Sequence, residues 1–288
     1  MSDRSGAKAK AKPAAPQRVA VRKTYKLFIG GKFPRSESGR SYPVQNANVA
    51  LSSRKDVRDA VVAARTAVKG WSGATAYNRG QILYRVAEML EGRREQFVAL
   101  GVPGDEVDAA TDRWVWYAGW SDKLPQVYGG ANPVAGPYFN LSAPEPTGVV
   151  GVVAPERPAL LGLVSVIAPA IVTGNTVVVL ASSTEPLAAI TLAEVLATSD
   201  LPGGVVNLLT GRVAETAPPL AGHMDVNALD LTGVADAELA ADLEVAAAQN
   251  LKRVLRPVAA GHDWSADPGL TRMTSLLETK TVWHPKGV

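Results

Sequence analysis

Val57, Ala60, Val61, Ala64, Val68 and Trp71 recur at intervals of three and four, the spacing of one face of an α-helix. Ser53 and Asp56 stand three apart at the head of this run, where a capping box would start the helix. A second amphipathic helix is predicted over 79–100, with Ile82, Leu83, Val86, Met89, Leu90 and Phe97 on one face. A third runs from about Glu106 to Trp120 through Val107, Ala110, Trp114 and Tyr117. Its aromatic cluster, Trp114, Trp116, Tyr117 and Trp120, has few cations interleaved and reads as packing rather than a base-stacking platform. Ahead of these helices, "YKLFIGGKF" at 25–33 predicts a small hairpin about a Gly-Gly turn.

From Thr147 the period changes. Short apolar, β-branched runs at 148–153, 176–180, 205–209, 228–231 and 252–256 predict strands. Helices are predicted between them, at roughly 159–172, 186–198, 213–221 and 235–248. Strand-helix alternation at this spacing gives the fold class: α/β, a parallel sheet with helices on both faces. Such sheets take ligands beyond the carboxyl ends of their strands. "GNTVVVLASSTEPL", 174–187, has the strand, loop and helix start of a nucleotide site, yet its loop from Ala181 to Thr184 carries no charge. "LTG" at 209–211 and again at 231–233 ends two strands at Gly211 and Gly233, where a backbone could approach a phosphate or simply turn.

Composition narrows the chemistry. The 288 residues include no Cys, which removes disulfides, thiolate metal sites and a cysteine nucleophile. The three His, at 223, 262 and 284, lack metal-ligand spacing. The net charge of +3 is uneven: eight Lys/Arg face one Asp in residues 1–26, and the remainder is acidic. Low-complexity "GAKAKAKPAAPQR" predicts a disordered basic tail over 1–22, read as solubilising in preference to nucleic-acid binding. No apolar run is long enough to span a membrane, so a cytoplasmic protein is expected.

Eight stretches in order, "LFIGGKF", "VRDAVVAARTAVKGW", "RGQILYRVAEMLEGRREQF", "RWVWYAGWSDKL", "PTGVVGVVAP", "IAPAIVTGNTVVV", "LPGGVVNLLTG" and "AAAQNLKRV", resemble the aldehyde dehydrogenase superfamily over nearly all of 25–256. The resemblance implies an NAD(P)-binding-type domain at 23–134 and 148–261, and oligomerisation strands at 135–147 and 274–288. "LLETKTVWHPKGV", 276–288, resembles the family's last strand and tail. Only about twenty-five residues separate Val254 from Lys280, where the family inserts a large catalytic domain. The resemblance therefore implies a member whose catalytic domain is missing while both flanks remain.

The departures follow the same logic. The family's Cys nucleophile has no counterpart, and Pro257 falls at the position of its general-base Glu, where no proton can be moved. Arg157 stands for the oxyanion-hole Asn. Leu180 and Ser183 replace the Lys and Glu that hold the adenosine ribose. Val213, Val234 and Glu238 replace two Gly and a Ser around the cofactor loops. These changes predict no catalytic residues, no cofactor, and Leu180, Ser183, Gly211 and Gly233 as vestigial positions only. Thr281, Val282 and Trp283 are expected to dock on a full-length aldehyde dehydrogenase by strand addition. The competing readings are a nucleotide or metabolite module using the cleft, a family oxidoreductase active only in complex, and a Trp283 that packs on this chain's own helices.

Overall fold

A computed structural model describes residue 19 and residues 21–287. The tail expected over 1–22 therefore lies almost wholly outside the described residues. The chain opens with β1 (Thr24–Tyr25), β2 (Ser41–Val44) and β3 (Ala47–Ala50), then α1 (Arg54–Ser72), α2 (Ala76–Glu91), α3 (Arg94–Val98), α4 (Gly104–Trp120) and α5 (Leu124–Tyr128). The hairpin strands β4 (Gly130–Asn132) and β5 (Tyr138–Pro146) follow. The alternating region is β6 (Val149–Val153), α6 (Leu161–Val172), β7 (Thr176–Leu180), α7 (Pro186–Leu196), β8 (Val206–Leu209), α8 (Val213–Ala221), β9 (Ala228–Asp230), α9 (Ala237–Ala248) and β10 (Arg253–Leu255). A single turn, α10 (Thr271–Thr274), leads into the last strand, β11 (Leu277–Pro285).

Five strands pair in parallel in the order β10-β9-β6-β7-β8. Every residue of β6, β7 and β8 is buried, as expected of strands covered on both faces. Alternation sends Val150, Val152, Val177, Val179, Val206 and Leu208 into a core shared with α2, α4, α6 and α7. Val153, Val178, Leu180 and Leu209 go to the opposite core, under α1, α8 and α9. The α/β class and the five predicted strands are as read from the pattern.

Three details differ. The predicted hairpin at 25–33 is present but short, with Ile29 and Lys32 exchanging backbone bonds and the Leu27 N–H donating to the Pro34 carbonyl at 3.1 Å about Gly30 and Gly31 at φ +61° and +77°. It is not free-standing: Phe28 exchanges backbone bonds with Leu208, at 3.0 and 2.8 Å, and so lies along the free side of β8. The second helix breaks at Gly92 and restarts as α3. Finally, β2 and β3 form a sheet with β1 that the hydrophobic pattern did not announce.

Asp56 fixes the start of α1. Its carboxylate accepts the Ser53 N–H at 2.7 Å, the Ser53 hydroxyl at 2.9 Å, the Ser36 hydroxyl at 2.8 Å and the Glu37 N–H at 2.9 Å. It thereby ties the 36–37 loop to the helix as well as capping it. Asp56→Ala is expected to cost about 2 kcal/mol, beyond an ordinary cap because several donors lose a charged acceptor, measured by urea unfolding.

The third sheet has the order β11-β5-β4. β11 runs antiparallel to β5 from Leu277↔Pro146 to Pro285↔Tyr138. Its base is anchored at Leu276, whose carbonyl accepts from the Thr147 hydroxyl at 2.8 Å and Asn175 Nδ2 at 2.9 Å. Arg253 adds two bonds of 2.6 Å to the Glu278 carboxylate. Beyond that base the sheet is exposed, with Phe139, Leu141 and Val282 on one face and Tyr138 and Trp283 on the other.

Candidate functional site

The carboxyl ends of β6, β9 and β10 open onto a cleft of about 650 Å³, lined by Glu156, Arg157, Gly233, Val234, His262 and Trp264 among others. The loop after β7 reaches this cleft only at Glu185. Its uncharged Ser182, Ser183 and Thr184 are turned onto one internal carboxylate. Glu156 accepts the Ser182 hydroxyl at 2.7 Å, the Ser183 N–H at 3.0 Å, the Ser183 hydroxyl at 2.8 Å, the Thr184 N–H at 3.2 Å and the Thr184 hydroxyl at 2.9 Å. Burial pushes the Glu156 carboxyl up, but the hydrogen bonds from Ser182, Ser183 and Thr184 together outweigh it and hold the group below its usual range. Glu156 is thus ionised at neutral pH.

The four vestigial positions are split between surroundings. Leu180 is 2% exposed and packs in the core beneath α1, not in a cleft. Ser183 and Gly211 line a smaller cavity of about 260 Å³ with Tyr42, Leu51 and Arg212. Gly233 lines the larger cleft, and its close approach is to this chain's own backbone: a Cβ there would stand 2.0 Å from the Ala154 carbonyl oxygen. Gly211 lies less tightly against Ser52, with a notional Cβ 3.2 Å from its N and Oγ, and its φ of +140° favours glycine there. Gly233 is required by internal packing whatever else it does.

The positions that would carry chemistry are arranged otherwise. Arg157 is largely exposed and forms an ion pair of 2.6 Å with Glu185. Pro257 faces a shallow surface cleft with Val234, Ala240 and Glu244. Glu106 accepts the Leu160 and Leu161 N–H groups at 2.7 and 3.1 Å, so it caps α6. His262 packs edge-on against Trp264 with centroids 4.6 Å apart. Among the described residues no cluster of His, Cys, Asp and Glu has the arrangement of a metal site. No helix there is long and apolar enough to cross a membrane.

The segment between β10 and β11 closes the side of this cleft. Arg113 donates to the carbonyls of Trp264 and Ala266 at 2.7 and 3.0 Å. Arg272 pairs with Asp230 at 3.0 Å, both nearly buried, and donates to the Thr232 hydroxyl at 3.0 Å. Pattern reading missed Glu156, Tyr42 and the Asp230–Arg272 pair. The available signals were an acid directly after an apolar strand and an Asp ending the buried run "ALD".

The aldehyde dehydrogenase family model matches residues 44–258. A cytosolic aldehyde dehydrogenase 1 of Elephantulus edwardii is 32% identical over 262 residues, covering 84% of this chain and 51% of that protein. The mitochondrial aldehyde dehydrogenase family 2 member B4 of Arabidopsis thaliana is 34% identical over 247 residues, covering 79% and 45%. The chain spans about half the length of the curated relatives it matches. Among solved structures, the NAD+ complex of an aldehyde dehydrogenase from Bacillus cereus superposes with a TM-score of 0.76 at 26% identity, covering 81% of this chain and 50% of that one.

The NAD+-bound neighbour overturns the expectation of no cofactor, which rested on side chains lost at 180 and 183. The physical reason is in the loop. Losing a Lys and a Glu there leaves two backbone N–H groups and three hydroxyls converging on one acceptor position, now held by Glu156. With the family model matching most of this chain and the same frame found in solved members, the chain belongs to the aldehyde dehydrogenase family.

Proposed function

We propose that this chain is a non-catalytic aldehyde-dehydrogenase-family subunit that docks on a full-length aldehyde dehydrogenase through β11. The observation that carries this reading is the sheet order β11-β5-β4: β11 is an edge strand of nine residues with its outer side unpaired among the described residues. An edge of that length, carrying exposed Val282 and Trp283, is a template for another chain's strand. Thr281 donates to or accepts from Ser142 at 2.9 Å and keeps the strand flat against β5. Trp283 rests on the Tyr138 ring at 5.8 Å and is 59% exposed, so its own helices do not cover it. The absent Cys and the proline at 257 support catalytic silence. The cytosolic relative supports a cytoplasmic setting.

The carboxyl ends of the parallel sheet carry a second reading, dinucleotide binding. Ser182, Ser183 and Thr184 would hold a cofactor's hydroxyl or phosphate oxygens once Glu156 gives up their donors. Such a cofactor supplies a hydride acceptor; this chain's part is to hold it. Co-expression with a full-length aldehyde dehydrogenase of the same organism, read by native mass spectrometry, tests the docking. A mixed oligomer is expected, and separate homogeneous species would refute it. The isolated chain is expected to form no NADH from a panel of aldehydes above a heat-killed control.

A further inference from the structure

We propose that the groove between α1 and α8 is a docking site for an acidic amphipathic helix of a partner protein. The groove has a volume of about 730 Å³ and shares no lining residue with the larger cleft or with the cavity at Ser183. Its floor is apolar, made by Val57 of α1, Pro218 and Pro219 of α8, and Met224 just beyond α8. Met224 is 65% exposed, so the floor is uncovered at that end. Its rim is cationic. Arg54, Lys55 and Arg58 line it and no carboxylate does. The remaining polar group is His223, whose Nδ1 accepts the Asp225 N–H at 3.2 Å.

The three cations stand at the start of α1, where the helix dipole favours anions and disfavours cations. Asp56, the acid of that first turn, is buried and turned onto Ser36, Glu37 and Ser53, away from the rim. Arg54 forms no ion pair among the described residues. Lys55 and Arg58 pair only with Glu37 and Asp59, at 2.5 and 2.8 Å, and both pairs are exposed on each side. Such pairs contribute little and exchange readily for a better-placed carboxylate. The stability of α1 therefore gives no reason for three cations here, whereas a negatively charged partner does. Shape narrows that partner. Arg54 and Arg58 are four apart and lie one above the other along one side of α1. A helix with carboxylates four apart meets both, and its apolar edge then lies on Pro219 and Met224. Met suits the floor because its flexible side chain adapts to what is placed on it. No Phe, Tyr or Trp lines the groove to stack a base, which argues against a nucleic acid. A lone small anion would leave the apolar floor uncovered.

The test is fluorescence anisotropy on the full chain with a labelled synthetic helix that carries Leu along one face and Glu four apart beside it. Its control has Gln in place of every Glu. Saturable binding of the Glu peptide is expected, weaker by about tenfold or more when salt is raised from about 50 to 500 mM. Arg54→Glu with Arg58→Glu is expected to weaken binding by about tenfold or more, and Met224→Ser by a smaller factor. The charge variant should melt no lower than the wild type, because it removes cations from the positive end of a helix. If it does not fold by circular dichroism, Arg54→Ala with Arg58→Ala decides. Trp283→Ala, which weakens docking through β11, should leave peptide binding unchanged, so the two surfaces fail separately. Absence of saturable binding, equal binding of the Gln peptide, or unchanged affinity in the folded charge variant overturns the proposal. So does loss of binding in Trp283→Ala, displacement of the peptide by a single-stranded oligonucleotide, or self-association of the chain that the charge variant abolishes, which would assign the groove to a second copy.

Discussion

A chain ending after Leu276 is expected to lose association with a full-length aldehyde dehydrogenase while its core stays folded. The cut removes all nine residues of β11 and nothing from the parallel sheet. It spares Met273 and Leu276, which are buried, and the Leu276 carbonyl that Thr147 and Asn175 hold. The Arg253–Glu278 pair goes with the strand, but both partners are solvent-exposed and add little to stability. Within the strand, Trp283 is the anchor. It offers a large apolar area already held by Tyr138, so little rotamer freedom remains to be lost on docking. Trp283→Ala is expected to weaken association by about 2 kcal/mol, near thirtyfold, as for a central aromatic at an interface. Sedimentation and native mass spectrometry read the association, and thermal melting reads the core. Co-purification of the truncated chain at full yield would refute docking through β11. Loss of the folded state would instead make the tail part of the core.

The second large effect concerns stability. Arg272→Ala is expected to destabilise the protein by about 3 kcal/mol and to lower the melting temperature by about 6–12 °C. The charge left behind is the reason. The Asp230 side chain is 2% exposed at the end of β9, and it keeps only Thr232 as a hydrogen-bond donor when the guanidinium is removed. The guanidinium also stands 5.5 Å over the Trp264 ring, so its loss loosens the segment that closes the cleft. Removing both charges should cost much less: Asp230→Asn with Arg272→Met is expected to recover most of the stability, because no uncompensated ion remains. A double variant as unstable as the single one would show that the guanidinium acts through packing rather than charge.

The parallel sheet was legible because its information is local and repeated. "VVGVV", "TVVVL" and "VNLL" are apolar throughout, which is what burial on both faces demands. The α1 face was legible for the same reason at a different period. Failures came where a partner distant in sequence decides. Phe28 pairs with Leu208, and nothing in "YKLFIGGKF" states that the edge of β8 is free to receive it. Glu156 illustrates the limit at the site. Its neighbours mark it as an acid after a strand, but its five donors lie beyond a whole helix and strand, at 182–184. The inference from Leu180 and Ser183 to an absent cofactor failed because it counted side chains and ignored backbone donors. Ser183 and Thr184 present the same N–H groups whatever stands at those positions.

The pairing of β5 with β11, from Leu277↔Pro146 to Pro285↔Tyr138, joins residues roughly 130–150 positions apart, which orders events during synthesis. At roughly 5–20 residues per second, β5 waits about 7–29 s for its partner strand to be made. β4 is already present on one side, but the other edge of Tyr138–Pro146 is bare during that interval, with Phe139 and Leu141 exposed beside it. A neighbouring chain that presents a strand in this window meets β5 before β11 exists. Until β11 is made, that bare edge is open to mispairing with a neighbouring chain, and β11 closes it by pairing along all nine of its residues.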